Sequence, residues 1–298
     1  TVLASRFGDR LGKGIRTGAR DALLSQEANS DNRGRVFGFH KAMDSFGAAL
    51  GPLLALAFLW YYPEEYKTLF LIAIIPGVFA IVSTYLIKEK KNKSATNSSK
   101  RPSWNDLIYY LKTSSKSYRK LILGLLLFSL INSTDLFLLL FLKTIGFDDV
   151  QIISVYILYN LVFAFAAYPA GVLGDRFSLR KVFLMGLLFF SITYIGLGSI
   201  VDISVFHIIA LFTLYGLFSA CTEGVSKAWI TKEVDGLEIG SAIGNFEALN
   251  SITTMLASAI GGIIWYQFGA PALFIGTGVL SVAVILYFML GQEETAVH

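Results

Sequence analysis

The chain has 298 residues and a single cysteine, Cys221. An intramolecular disulfide is therefore excluded, and this lone thiol lies in an apolar run where it reads as a packed side chain. Histidine is nearly as scarce, at three: His40, His207 and His298. No Cys/His spacing suits a metal, and no H-E-x-x-H, G-x-S-x-G or Walker loop occurs. Enzymes of those classes are set aside, and no cofactor or metal is expected. Charge is also sparse, at 15% Asp, Glu, Lys and Arg, against about 25% in soluble domains. No secretory or transit pattern marks the first residues.

Apolar residues take that place. They make up 54% of the chain, 14% of it is aromatic, and mean hydropathy is +0.61. A bilayer-crossing helix needs about 20 mostly apolar residues. Such runs occupy 36–61, 67–87, 119–142, 150–173, 179–200, 205–231, 238–268 and 271–291. Charge or turn chemistry separates them at Pro63-Glu64-Glu65, Gly146 to Asp149, Asp202 and Gly269-Ala270-Pro271. The expected fold is an all-α, polytopic membrane protein, with the lipid bilayer as its solvent.

The net charge of +4 arises mainly from loops. Residues 88–120 hold ten Lys or Arg against Glu89 and Asp106. Under the positive-inside rule this connection is cytoplasmic, and nucleic acid is not an expected partner. Alternation then places Arg33, Arg35, Arg176, Arg180 and Lys181 inside, and Glu64, Glu65, Asp148, Asp149 and Asp202 outside. The first part of the connection is expected to be disordered. The stretch 103–112 fits either a plain linker or a short interfacial helix, with Ser103 and Asp106 at capping-box-like spacing.

The opening residues, Thr1 to Gln26, wind into a two-sided helix. Arg6, Asp9, Arg10, Lys13, Arg16, Arg20 and Asp21 fall within an arc of roughly 140°. Small and apolar residues fill the opposite side. An ionisable residue inside a span is a functional hypothesis, because it must face water or a partner. Asp44, Asp135, Glu223 and Glu247 are the acids expected to balance the excess of arginine. Two readings stay open here: a static ion-pair network, or a wet cavity whose arginines meet substrate and whose carboxylates titrate.

The sequence also repeats itself. At a shift of 206, Gly18 meets Gly224, Glu27 meets Glu233, Gly34 meets Gly240, Gly38 meets Gly244, and Asp44 meets Asn250. The offset persists, with a two-residue slip, over about 75 residues. The opening three helices therefore recur as the last three, a parallel repeat about an axis along the membrane normal. The middle three lack counterparts. Three further helices, roughly ninety residues, are expected before Thr1, making nine of twelve helices in two bundles. The expected divisions are 1–87 in the first bundle, 88–118 as the connecting loop, and 119–298 as the second bundle.

Three local patterns carry a resemblance. Gly38, Gly47 and Gly51-Pro52 match G-x8-G-x3-G-P. Gly171 to Lys181 follows G-x-x-x-D-R-x-G-R-R through Gly171, Asp175, Arg176, Arg180 and Lys181, with Ser178 in place of glycine and Leu179 in place of a basic residue. Arg6 stands at a set spacing before Arg33-Gly34. Together with the architecture, these resemble the major facilitator superfamily over the whole chain, in its drug/proton antiporter branch.

That resemblance implies a secondary transporter in a cell membrane, of the bacterial inner-membrane kind. It would work as a monomer and export small molecules against protons. An importer of an anionic solute and a non-transporting scaffold are the alternatives. Pro52 is expected to bend its helix. Gly47 and Gly51 are expected to pack on Ala164, Ala167, Gly171 and Gly174 of the run at 150–173 and just beyond. Asp175 is expected to latch helices together and cap the helix that follows it. Proton-coupling candidates are Asp44, Asp21, Glu223, Asp135 and Arg6. Cavity candidates are Arg16, Arg20, His40, Asn132, Asn160, Lys227, Glu247 and Asn250. On one helical face with His40, Gly47 and Gly51, Asp44 is expected to be partly desolvated at the seam between the bundles.

The topology has a direct check. A cysteine at Ser98, in a Cys221→Ser background, should resist membrane-impermeant thiol reagents in intact cells. Labelling from outside would invert the whole arrangement.

Overall fold

The computed structural model describes residues 17, 20, 21, 23–25, 27–29, 31–86, 104–199, 204–234 and 238–290, with the side chains of 104–108 excluded. Arg6, Asp9, Arg10, Lys13, Arg16 and residues 88–103 of the connection, Ser103 included, lie outside them. Thr17, Arg20, Asp21 and 23–25 are helical. Nine helices follow among the described residues: α1 (Arg33–Tyr61), α2 (Tyr66–Tyr85), α3 (Trp104–Thr113), α4 (Lys116–Ile131), α5 (Leu136–Thr144), α6 (Asp149–Arg176), α7 (Leu179–Ser199), α8 (Val205–Lys232) and α9 (Ile239–Leu290). The described residues contain no strand.

Among the described residues, seven helical stretches are long and apolar enough to cross a membrane. One, α9, is a pair of arms joined at Gly269, whose φ of 84° lies in the left-handed region that glycine enters without strain. Its two arms bring the crossings to the eight apolar runs of the sequence. The helices are polar at their ends for a reason. At α4, Ser115 accepts from the Tyr118 N–H at 3.1 Å. At α6, Asp148 and Gln151 form a reciprocal capping box.

The run at 119–142 does not form the single expected helix. It breaks between α4 and α5 over Asn132, Ser133, Thr134 and Asp135. The ladder stops with Asn132 N–H to Phe128 O at 2.8 Å and resumes with Phe137 N–H to Thr134 O. Four consecutive short polar side chains offer the backbone competing local hydrogen bonds, and leucine-rich flanks conceal them in a hydropathy average.

The 103–112 stretch resolves to the helix α3. Its Leu111 and Tyr110 pack against the core. Tyr110 donates to Glu238 at 3.3 Å, and burial together with that carboxylate pushes its phenol up to about 12. It stays a donor at neutral pH and ties α3 to the start of α9.

In lipid the hydrophobic effect does not join helices; close packing and hydrogen bonds do. Helices α4 to α9 show both. Phe128, Phe183, Phe190, Phe218 and Tyr194 interlock at ring distances such as 5.1 Å for Phe128–Phe190 and 4.2 Å for Phe190–Tyr194. Ser191 and Ser281 share a hydrogen bond of 2.5 Å between α7 and α9. By contrast, α2 has no buried residue and presents Phe70, Leu71, Ile74 and Phe79 outward.

The seam between α1 and α6 corrects one expectation. The buried positions of α1 are Gly34, Phe37, Gly38, Ala42, Ser45 and Ala49. Its small members recur at i+4 and i+3, a stripe roughly opposite the face of His40, Asp44, Gly47 and Gly51. A Cβ on Gly38 would lie 2.6 Å from the Ala167 carbonyl, and Gly34 and Gly171 abut backbone to backbone. Gly47 and Gly51 have nothing within 4 Å of such a Cβ. Ala167 and Gly171 do meet α1, whereas Gly174 packs on Leu179. Pro52 is accommodated inside α1 without ending it.

Substitutions should separate the two stripes. Gly171→Ala drives a methyl group into the Gly34 carbonyl and should cost about 1–3 kcal/mol, read as a lower Tm of the purified protein. Gly51→Ala should be neutral within about 0.5 kcal/mol. Equal Tm values for the two variants would refute the assignment of the seam.

Candidate functional site

α8 carries a polar line in the middle of an apolar helix. Tyr215, Ser219, Glu223 and Lys227 recur every fourth residue, which keeps them on one face. Each one described with a polar contact reaches a different element. This line, with the partners it gathers, is the candidate site.

Nearest the end of α8, the Lys227 ammonium lies 2.5 Å from Asp21 and 2.8 Å from Glu247. Asp21 is fully buried and also accepts from the Arg20 guanidinium at 3.1 Å. One turn deeper, Lys41 of α1 meets Glu223 at 2.6 Å. Two turns further, Tyr215 donates to Asp135 at 2.5 Å. Charges held this way in a poor dielectric are worth keeping only as pairs.

Around this line the two halves of the molecule are fastened at one end. Asp175 accepts from the Gly34 N–H at 2.8 Å and the Arg35 N–H at 2.9 Å, with the Arg35 guanidinium at 3.5 Å. It therefore caps α1, where backbone N–H groups are unpaired, and not the α7 that follows it in sequence. Arg33 donates to the Thr231 carbonyl, and Gly224 faces the backbone of Phe37, whose carbonyl a Cβ on Gly224 would meet at 3.1 Å. Arg180 donates to the Phe288 and Met289 carbonyls at the end of α9. Arg176 and Lys181 are exposed.

The remaining candidates divide. Glu247, Glu223 and Lys227 come together as described, and their counter-ions are mainly lysines, not the arginines expected. Asp44 is exposed and forms no ion pair among the described residues, so the expected partial desolvation is absent. His40 lines an open cavity of about 450 Å³ with Leu24, Asn32, Arg35, Phe39 and Tyr168. Asn160 donates to Tyr156 O one turn back and serves its own helix. Asn250 is half-buried. Asn132 lies in the α4–α5 break, its Oδ1 buried without a hydrogen-bond partner. Tyr215 escaped the sequence reading, and Lys41 was not among its site candidates. The four-residue spacing along α8 was the available signal for Tyr215; Lys41 has none beyond being a cation within a span.

The Asp21–Lys227–Glu247 cluster yields a stability test. Lys227→Met leaves two carboxylates facing each other, and should cost about 3 kcal/mol. Adding Asp21→Asn to that variant should cost less than it does alone, measured as a double-mutant cycle of unfolding. Additive costs would mean the contact carries no coupling.

The family model of the Major Facilitator Superfamily matches residues 1–159 and 136–297. An uncharacterized MFS-type transporter of Methanocaldococcus jannaschii is 32% identical over 266 residues, covering 86% of this chain and 64% of that protein. The tetracenomycin C resistance and export protein of Streptomyces glaucescens is 33% identical over 119 residues, 39% of this chain and 21% of its own. The chain thus spans somewhat under two thirds of the length of that archaeal relative. The crystal structure of the human organic anion transporter MFSD10 has the same fold, with a TM-score of 0.74 at 15% identity, covering 91% of this chain and 67% of the other. With the profile matched along nearly its whole length and the helical arrangement shared, the chain belongs to the Major Facilitator Superfamily.

Proposed function

We propose that this transporter exports small molecules in exchange for protons, by rocking two bundles against each other around a central site. The observation that carries the reading is the set of polar contacts between the opening elements and the second bundle: Arg33–Thr231, Gly34 and Arg35 with Asp175, Lys41–Glu223, and Asp21–Lys227. All lie toward the end of the molecule that carries Arg33 and Arg180. Bonds of this kind are individually breakable, so they suit a gate that closes one end and later releases it.

Positive-inside logic assigns that end to the cytoplasm, and the state described is then closed to the cytoplasm. Residues 1–87 belong to the first bundle and 119–298 to the second, with 88–118 between them. The exporter reading is supported by the G-x8-G-x3-G-P pattern and by the likeness to a resistance and export protein over 119 residues. A second reading, transport of an organic anion, draws on Arg20 and the cations of the opening residues, and on the fold shared with an organic anion transporter.

Glu223 is the carboxylate best placed for coupling. Its side chain is 41% exposed while its partner Lys41 is 15% exposed. Protonation would discharge the acid and release Lys41 from the second bundle. Asp44, exposed and without an ion pair among the described residues, is the other candidate; Asp21 is already committed to Lys227.

Glu223→Gln and Asp44→Asn should each be tested in the full-length protein in proteoliposomes. The variant that removes the coupling acid keeps substrate exchange and loses pH-driven accumulation. If both retain pH-driven accumulation, neither acid carries the proton.

A further inference from the structure

The α4–α5 break collects more oxygen than its surroundings satisfy. Among the described residues Asp135 has no lysine or arginine partner; the Tyr215 hydroxyl donates to it at 2.5 Å, and the Tyr159 hydroxyl also bonds to it. Asn132 Oδ1, Ser133 Oγ and the Tyr194 hydroxyl are buried without hydrogen bonds. Ser133 is 4% exposed and Tyr194 0%. The Tyr194 hydroxyl faces Ser133, Tyr215 and Asp135, so these groups converge from α7, α8 and the break itself. No backbone N–H of Ser133, Thr134 or Asp135 continues the ladder, which leaves carbonyls of the last turn of α4 without their helical donors. Gly261 of α9 lies against Ser133, and a side chain there would meet it at 3.4 Å.

We propose that this break is a binding site for a dehydrated sodium ion, held by the Asp135 carboxylate, Asn132 Oδ1, Ser133 Oγ and a freed main-chain carbonyl. The chemistry of the donors selects the ligand. They are hard oxygens, which suit a hard cation. One carboxylate balances one positive charge, and no second acid joins it within hydrogen-bond reach, so a divalent ion would remain under-neutralised. A proton on Asp135 would satisfy that carboxylate and leave Asn132 and Ser133 as they are. An ion that accepts several oxygens at once answers all of them. Irregular backbone inside a membrane is tolerated where it is shielded by protein and its polar groups are used. The charged and titratable groups facing the site are Tyr159 from α6, Tyr194 from α7, and Tyr215 and Glu223 from α8. Use of the ion to drive transport rests on the transport reading above; binding does not.

The test is therefore a binding measurement. The purified full-length protein is melted in sodium, potassium or N-methylglucamine chloride at equal ionic strength and fixed pH. Sodium should raise Tm saturably, above the other two salts. Asp135→Asn should abolish the rise. Ser133→Ala and Asn132→Ala should weaken the sodium dependence roughly 10-fold or more. Lys227→Met, in the separate cluster, should retain it. Equal Tm in all three salts, as expected of a break filled by water alone, overturns the proposal, and so does an undiminished sodium shift in Asp135→Asn. If that variant does not fold, an unchanged sodium affinity in both Ser133→Ala and Asn132→Ala overturns it. A protein that binds sodium yet moves no solute would sink the transport reading and leave the site standing.

Discussion

An ionised side chain inside a bilayer must be neutralised or wetted, and that constraint arranges this molecule. Lys227 would be untenable on α8 without Asp21 and Glu247, and Lys41 without Glu223. Each pair joins elements distant in sequence, so neutralising the charge also fixes where the helices lie. The small residues of α1 make this possible. Only where Gly34 and Gly38 let α1 lie directly on Ala167 and Gly171 can Asp175 reach the amides of α1 and Lys41 reach Glu223. Close packing and charge pairing are therefore one device at the seam.

Much of the fold was legible because hydropathy is a bulk property. Eight apolar runs survive any small error of register, and Gly269-Ala270-Pro271 announced the turn that divides α9. The α4–α5 break was hidden by the same averaging, since four polar residues between leucine-rich flanks hardly lower a window of twenty. The site was partly legible. Asp21, Glu223, Lys227 and Glu247 stood out as ions in apolar surroundings, but pairing needs three dimensions. A cation such as Lys41 can serve any acid within reach.

The face of α1 shows where pattern matching and physics part. Gly38, Gly47 and Gly51 satisfy a signature, yet only Gly38 touches α6. The stripe of Gly34, Gly38, Ala42, Ser45 and Ala49 obeys a plainer rule, small residues at i and i+4 on one helical face. Periodicity, read without the signature, would have chosen the buried side. Similarly, Asp175 was recognised as a latch, but its target was placed on the nearest helix in sequence and not on the helix N-terminus nearest in space.

Asp21 and Lys227 are separated by 206 positions, the offset at which the chain superposes on itself. Residues equivalent under a two-fold operation can touch only close to the axis of that operation. At such a place a chain made of identical halves would set like against like, acid on acid or base on base. Divergence of the two copies is what lets an attraction exist there at all. Under the parallel repeat expected from the sequence, the pair would mark a point where perfect internal symmetry is electrostatically forbidden.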